Sequence, residues 1–129
     1  MNVLILDDDP FVLSLLKTAF EKRGYNVLTY TNPDQCPLYC SLSCHCTLFK
    51  NGCPDVILSD VNMPHVNGVK LIEELKRKNC KCIKIGLMSG DWSDADIEKA
   101  ARWDVAVFSK PFELSALLSW VSSDIRDVA

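Results

Sequence analysis

Residues 3–10, VLILDDDP, decide the fold: four consecutive apolar side chains, Val3 to Leu6, run into Asp7, Asp8 and Asp9 and stop at Pro10. An unbroken apolar run of this length, closed by turn formers, is the pattern of a strand buried on both faces, as strands of parallel sheets are. Asp9 suits a helix N-cap and Pro10 a first helical turn. Beyond them Val12, Leu15, Leu16, Ala19 and Phe20 recur at helical spacing until Lys22, Arg23 and Gly24 close the segment.

Working outward, Val27 to Tyr30 predicts a second short strand, and Val56 to Ser59 a third that ends, like the first, on an aspartate, Asp60. Val69, Ile72 and Leu75 predict a helix to about Lys78, and Ile83 to Met88 a fourth strand. Ser93 with Asp96 predicts the cap of a helix running to Arg102. Val105 to Phe108 is a fifth strand, and Leu114, Leu117, Leu118, Val121 and Ile125 form the apolar stripe of a last helix. Residues 31–54 are poorly patterned, punctuated by Pro33, Pro37 and Gly52, and predict a short helix and a loop. Strand and helix alternate five times, which specifies an α/β fold: a doubly wound parallel sheet with helices on both faces.

At roughly 100 to 200 residues per domain, a chain of 129 residues is expected to be one domain, 1–129, with no separate output or catalytic module. The start at Met1 and the end just after the last helix carry the same expectation of a stand-alone unit. A hydrophobic share of 48% supports a core. The net charge is -3, the pI is near 5.3, and the 14 basic residues are scattered, which argues against direct nucleic-acid binding. No apolar run approaches the ~18 residues of a membrane span and no basic leader precedes Val3, so the expected location is cytoplasmic, with no membrane partner.

In open parallel sheets function gathers beyond the carboxyl ends of the strands. Here those ends deliver Asp7, Asp8 and Asp9 from the first strand, Asp60 from the third, Ser89 from the fourth and Lys110 from the fifth. Two carboxylates about 4 Å apart repel by roughly 4 kcal/mol at an effective dielectric of 20, so such a cluster calls for a cation. Oxygen-only ligands suit Mg²⁺. A carboxylate beside a metal, a hydroxyl and an ammonium can act as an in-line nucleophile in phosphoryl transfer, the cations and the hydroxyl taking the charge on the transferring oxygens. Neither GxxxxGK[ST] nor GxGxxG is present, so the expected donor is a phosphoprotein or a small acyl phosphate rather than a nucleotide bound here.

The segments LILDDDP, DVILSDVNMPHVNG, the MSG at 88–90 and the SKPF at 109–112 together resemble the receiver domain of two-component response regulators over essentially the whole chain. The resemblance implies a flavodoxin-like strand order, 2-1-3-4-5, and a phosphorylation-dependent signalling switch rather than an enzyme, with self-catalysed phosphoryl transfer and autodephosphorylation. It implies Asp7 and Asp8 as the Mg²⁺-binding pair, Asp60 as phosphoacceptor and metal ligand, and Asn62 as a metal ligand through its backbone carbonyl. Ser89 is implied as the switch hydroxyl, and Lys110 as the lysine that meets the phosphoryl group, followed by a Pro111 whose peptide bond is usually cis in the family. The implied partners are a histidine kinase or phosphotransfer protein upstream, and a downstream protein that reads the face formed by helix 4, strand 5 and helix 5. Asp9 is expected to cap the helix and not to bind metal.

Three departures from the family pattern stand out. Val107 occupies the position of the family's switch aromatic, so the backbone of the loop after Ser89, with Gly90 and Asp91, is expected to carry the switching signal. Trp103 stands where the family usually has a glycine ending the fourth helix. The interval from Asp8 to Asp60 is several residues longer than typical, with the surplus in a cysteine-rich insertion at about 33–54. Five of the seven cysteines, Cys36, Cys40, Cys44, Cys46 and Cys53, lie between the second and third strands; Cys80 and Cys82 lie before the fourth. Cys44, Cys46, Cys53, Cys80 and Cys82 are candidates for a second metal site holding Zn²⁺ or an iron–sulfur cluster, with Cys40 or His45 nearby. Small buried hydrophobes or surface disulfides are the other readings.

Two alternative functions remain open at this level. A haloacid-dehalogenase-like phosphatase would use Asp7 as nucleophile, but Phe11 stands where that family has Thr or Val, and no acidic pair follows Lys110. A metal- or redox-sensing scaffold on a receiver fold would rest on the cysteines.

Overall fold

The computed structural model describes residues 2–31, 55–63, 66–67, 84–90, 93–102 and 105–123. The cysteine-rich insertion, all seven cysteines, His45, His65, Trp92, Trp103, the predicted helix over 69–78 and Ile125 lie outside the described residues.

The described elements are β1 (Asn2–Leu6), α1 (Pro10–Lys22), β2 (Asn26–Tyr30), β3 (Val56–Asp60), β4 (Asn62–Met63), β5 (Val66–Asn67), β6 (Lys84–Ser89), α2 (Asp94–Arg102), β7 (Ala106–Ser109) and α3 (Leu114–Ser123). β2, β1, β3, β6 and β7 form one parallel sheet in that order, which is 2-1-3-4-5 counted along its strands, as expected for the doubly wound fold. The five expected strands, the first helix and the helix ending at Arg102 have ends within a residue of expectation. The antiparallel pairing of β4 with β5, Asn62 opposite Asn67, was not anticipated, because VNMPHVNG carries turn formers and almost no alternation.

The central strands β1, β3 and β6 are buried on both sides, with Val3 to Leu6, Val56 to Leu58, and Ile85, Leu87 and Met88 supplying apolar side chains to the two faces. Val3, Ile5, Val56, Leu58 and Met88 join Leu13, Leu16 and Phe20 of α1 and Leu117, Leu118 and Val121 of α3 in one core cluster. The alternating positions Leu4, Leu6, Ile57 and Leu87 point to the other face and are equally buried. The helical stripe of α1 is centred differently from expectation. Leu13, Leu16 and Phe20 are its buried residues, whereas Leu15 is 51% exposed, since it falls beside the i, i+3, i+7 line that meets the sheet.

Local signals act where they were read. The Asp9 carboxylate accepts from the Phe11 N–H at 2.9 Å and Pro10 opens α1. Gly24 follows the helix at φ 88, a conformation cheap only for glycine. Ser93 Oγ accepts from the Asp96 N–H at 3.1 Å and starts α2.

Gly86, in the middle of β6, lies under the Trp120 indole of α3. A Cβ there would stand 2.9 Å from both Leu58 Cδ2 and Trp120 Cη2, and 3.2 Å from Phe108 Cε2. A Gly86→Ala variant is therefore expected to lose about 1–3 kcal/mol of stability by overpacking, measured as a lower urea midpoint at unchanged m-value. An unchanged midpoint would show that the notch relaxes freely.

Candidate functional site

The carboxyl ends of β1, β3, β6 and β7 bring the polar residues together. Asp7 follows β1 directly and is fully buried, its backbone N–H donating to the Tyr30 carbonyl at 3.2 Å. Its Oδ1 accepts from the Asp9 N–H at 2.9 Å, which ties the carboxylate to the turn that starts α1. Asp60 closes β3 and is 6% exposed. Ser89 closes β6 and is fully buried, and its carbonyl accepts from the Lys110 N–H at 2.8 Å, which holds the ends of β6 and β7 side by side.

Lys110 reaches across the sheet end. Its ammonium donates to Asp7 Oδ2 at 2.8 Å and to Asp60 Oδ2 at 3.2 Å, so one cation bridges the first and third strands. Burial alone would lower its pKa; the hydrogen bond to Asp7 and the charges of Asp60 and Asp7 outweigh that, and the ammonium is held above its ordinary value. Lys110–Pro111 is a cis peptide bond.

Asp8 is exposed beside this pair. One ligand oxygen from each of Asp7, Asp8 and Asp60 lies within 4.8 Å of the other two, the one such grouping among the described residues. The donor set is all carboxylate, flanked by solvent on the Asp8 side, which fits a hard, partly hydrated ion such as Mg²⁺ and not a soft thiophilic one. Asn62, which begins β4 just after Asp60 and Val61, has its backbone on the same strand end.

Six residues singled out from sequence are thus placed here: Asp7, Asp8, Asp60, Ser89 and Lys110 in the cluster, and Asp9 as a cap outside it. Cys44, Cys46, Cys53, Cys80 and Cys82 lie outside the described residues. Sequence reading did not single out Ser59, whose buried hydroxyl donates to the Asp60 carbonyl at 3.1 Å. A serine between three apolar strand residues and Asp60 was its one visible signal. Val107 is 42% exposed on β7. Among the described residues, no helix is long and apolar enough to cross a membrane.

Comparisons with known proteins converge. A family model described as the response regulator receiver domain matches residues 3–122. The nisin biosynthesis regulatory protein NisR of Lactococcus lactis is 31% identical over 125 residues, covering 97% of this chain and 50% of that protein. Response regulator SaeR of Staphylococcus aureus is 31% identical over 77 residues, covering 60% of this chain and 29% of its own length. The chain thus spans half or less of the length of these relatives. Among solved structures, the receiver domain of Francisella response regulator 1452 superposes with a TM-score of 0.79 at 23% identity, covering 99% and 98% of the two chains. Vibrio cholerae chemotaxis protein CheY4 gives 0.73 at 21% identity, with 93% and 94% covered. At these identities the two structures attest the fold.

Proposed function

The chain belongs to the response regulator receiver domain family, and on that premise we propose that it is a phosphorylation-dependent switch whose acceptor is Asp60. The observation that carries this reading is the Lys110 ammonium spanning Asp7 and Asp60, with Asp8 at the same strand end. An acceptor must combine a nucleophilic oxygen with a nearby cation that offsets the charge it gains, and Asp60 has both.

An Asp60 carboxylate oxygen attacks phosphorus, forming an acyl phosphate as the bond to a phosphohistidine nitrogen, or to the acyl oxygen of acetyl phosphate, breaks. The donor leaves with the bonding electron pair. Asp7, Asp8, Asp60 and the backbone of Asn62 are the residues that would hold Mg²⁺, which supplies neutralisation of the transferring oxygens. Lys110 pairs with the new phosphoryl oxygens, and the Ser89 hydroxyl donates to another. Asp7, locked by the Asp9 N–H and by Lys110, orients the cation and is not itself the nucleophile. Self-catalysed hydrolysis of the acyl phosphate resets the switch.

A histidine kinase or phosphotransfer protein is the upstream partner in this reading. A downstream protein reads the surface of α2, β7 and α3. The test is mass spectrometry after incubation with acetyl phosphate: the chain gains one phosphoryl group with Mg²⁺ present and none with EDTA, and phosphorylation that is indifferent to the chelator would overturn the metal-dependent reading.

An Asp8→Ala variant is expected to bind Mg²⁺ at least ten-fold more weakly, an effect of about 1.4 kcal/mol, because the site has few protein ligands to lose. Tryptophan-fluorescence titration of the metal measures this; an unchanged affinity would remove Asp8 from the site.

A further inference from the structure

Trp120 of α3 is held against β6 by three contacts of different kinds. The Lys84 ammonium, in a residue only 5% exposed, donates to the Trp120 carbonyl. The same ammonium stands 5.0 Å from the centroid of the Trp120 ring. The ring edge rests on Gly86, a strand position with no side chain to block it, and meets Phe108 of β7 edge-on at 5.2 Å and 69°.

α2 is seated quite differently. Ala100 is its buried side chain, and Ile97 is 44% exposed. α3 by contrast buries Leu117, Leu118 and Val121 in addition to the Trp120 contacts.

Resting on the switch reading above, we infer that the Lys84–Gly86–Trp120 contact is an anchor that fixes α3 to β6, so that the signal from the acceptor site is delivered through α2 and the segment after Ser89 while α3 stays in place. Geometry makes such an anchor necessary. Lys110, which meets the phosphoryl group, lies four residues before Leu114, the first residue of α3, so a pull on Lys110 would otherwise pass straight into that helix. Lys84 holds the far end of α3 from the opposite end of the strand that carries Ser89. The surface a partner reads then has a fixed half, α3, and a displaced half, α2.

The test is backbone and indole NMR of the chain with and without Mg²⁺ and beryllofluoride. Loss of one indole signal in a Trp120→Phe variant assigns Trp120. Shifts at Asp60, Lys110, Gly90 and 94–102, with the Trp120 indole and the amides of 117–121 unmoved, are expected. Shifts of similar size at Trp120 and in α3 would overturn the anchor, and no shifts at Asp60 and Lys110 would remove the switch on which it rests. In a Lys84→Met variant, which keeps an apolar stem, the beryllofluoride shifts are expected to spread into α3. Hydrogen exchange of the resting variant gives a reading independent of the acceptor site: exchange at 117–121 should accelerate while exchange in β1 and β3 does not. Unchanged exchange in α3 would overturn the anchor.

Discussion

An Asp60→Asn variant incubated with acetyl phosphate and Mg²⁺ is expected to show no phosphoryl adduct, where the parent chain gains one. The substitution keeps size and shape at a position 6% exposed, so the fold tolerates it, but it removes the anionic oxygen that attacks phosphorus. Neither neighbouring carboxylate can replace it. Asp7 is fully buried with Oδ1 engaged by the Asp9 N–H and Oδ2 by Lys110, and Asp8 is exposed, on the outer side of the cluster. The variant should also be at least as stable as the parent, because one of three crowded negative charges is gone. Undiminished phosphorylation by mass spectrometry, with the adduct mapped to Asp7 by tandem fragmentation, would move the nucleophile to β1 and revive the dehalogenase-like alternative.

The site was legible in the sequence because each of its parts terminates an apolar run. Asp7, Asp60 and Ser89 sit where strands rich in apolar residues end, and in a parallel sheet all those ends lie at one pole. The fold was legible for the same reason, since runs such as VLIL and VILS can be buried only in a sheet covered on both faces. Helix faces were less readable. Val12, Leu15, Leu16 and Ala19 all fit a helical stripe, and only the seating of α1 on the sheet decides that Leu13 goes inward and Leu15 stays 51% exposed. The Lys84 contact was invisible for a different reason: its partner is a backbone carbonyl 36 residues away, and no side-chain pattern announces a carbonyl. The β4–β5 pairing had too few residues to show any period.

The second large effect is expected at Lys110. A Lys110→Met variant keeps the apolar stem but leaves the buried Asp7 and Asp60 carboxylates facing each other without the cation that now bridges them at 2.8 and 3.2 Å. Removing one partner of a buried ion pair exposes the desolvation cost of the other, and here two carboxylates are stranded; the Lys110 side chain is 24% exposed, so water offsets part of it. A loss of about 2 kcal/mol in EDTA is expected, read as a lower urea midpoint. Mg²⁺ should then stabilise the variant more than it stabilises the parent, because in the parent the ion enters a site that already holds a positive charge, whereas in the variant it meets uncompensated carboxylates. That difference separates an electrostatic role from simple packing damage. A variant weakened only through lost contacts would gain the same increment from Mg²⁺ as the parent, and equal increments across a metal titration would show that Lys110 does not act as the resident counter-charge of the acceptor site.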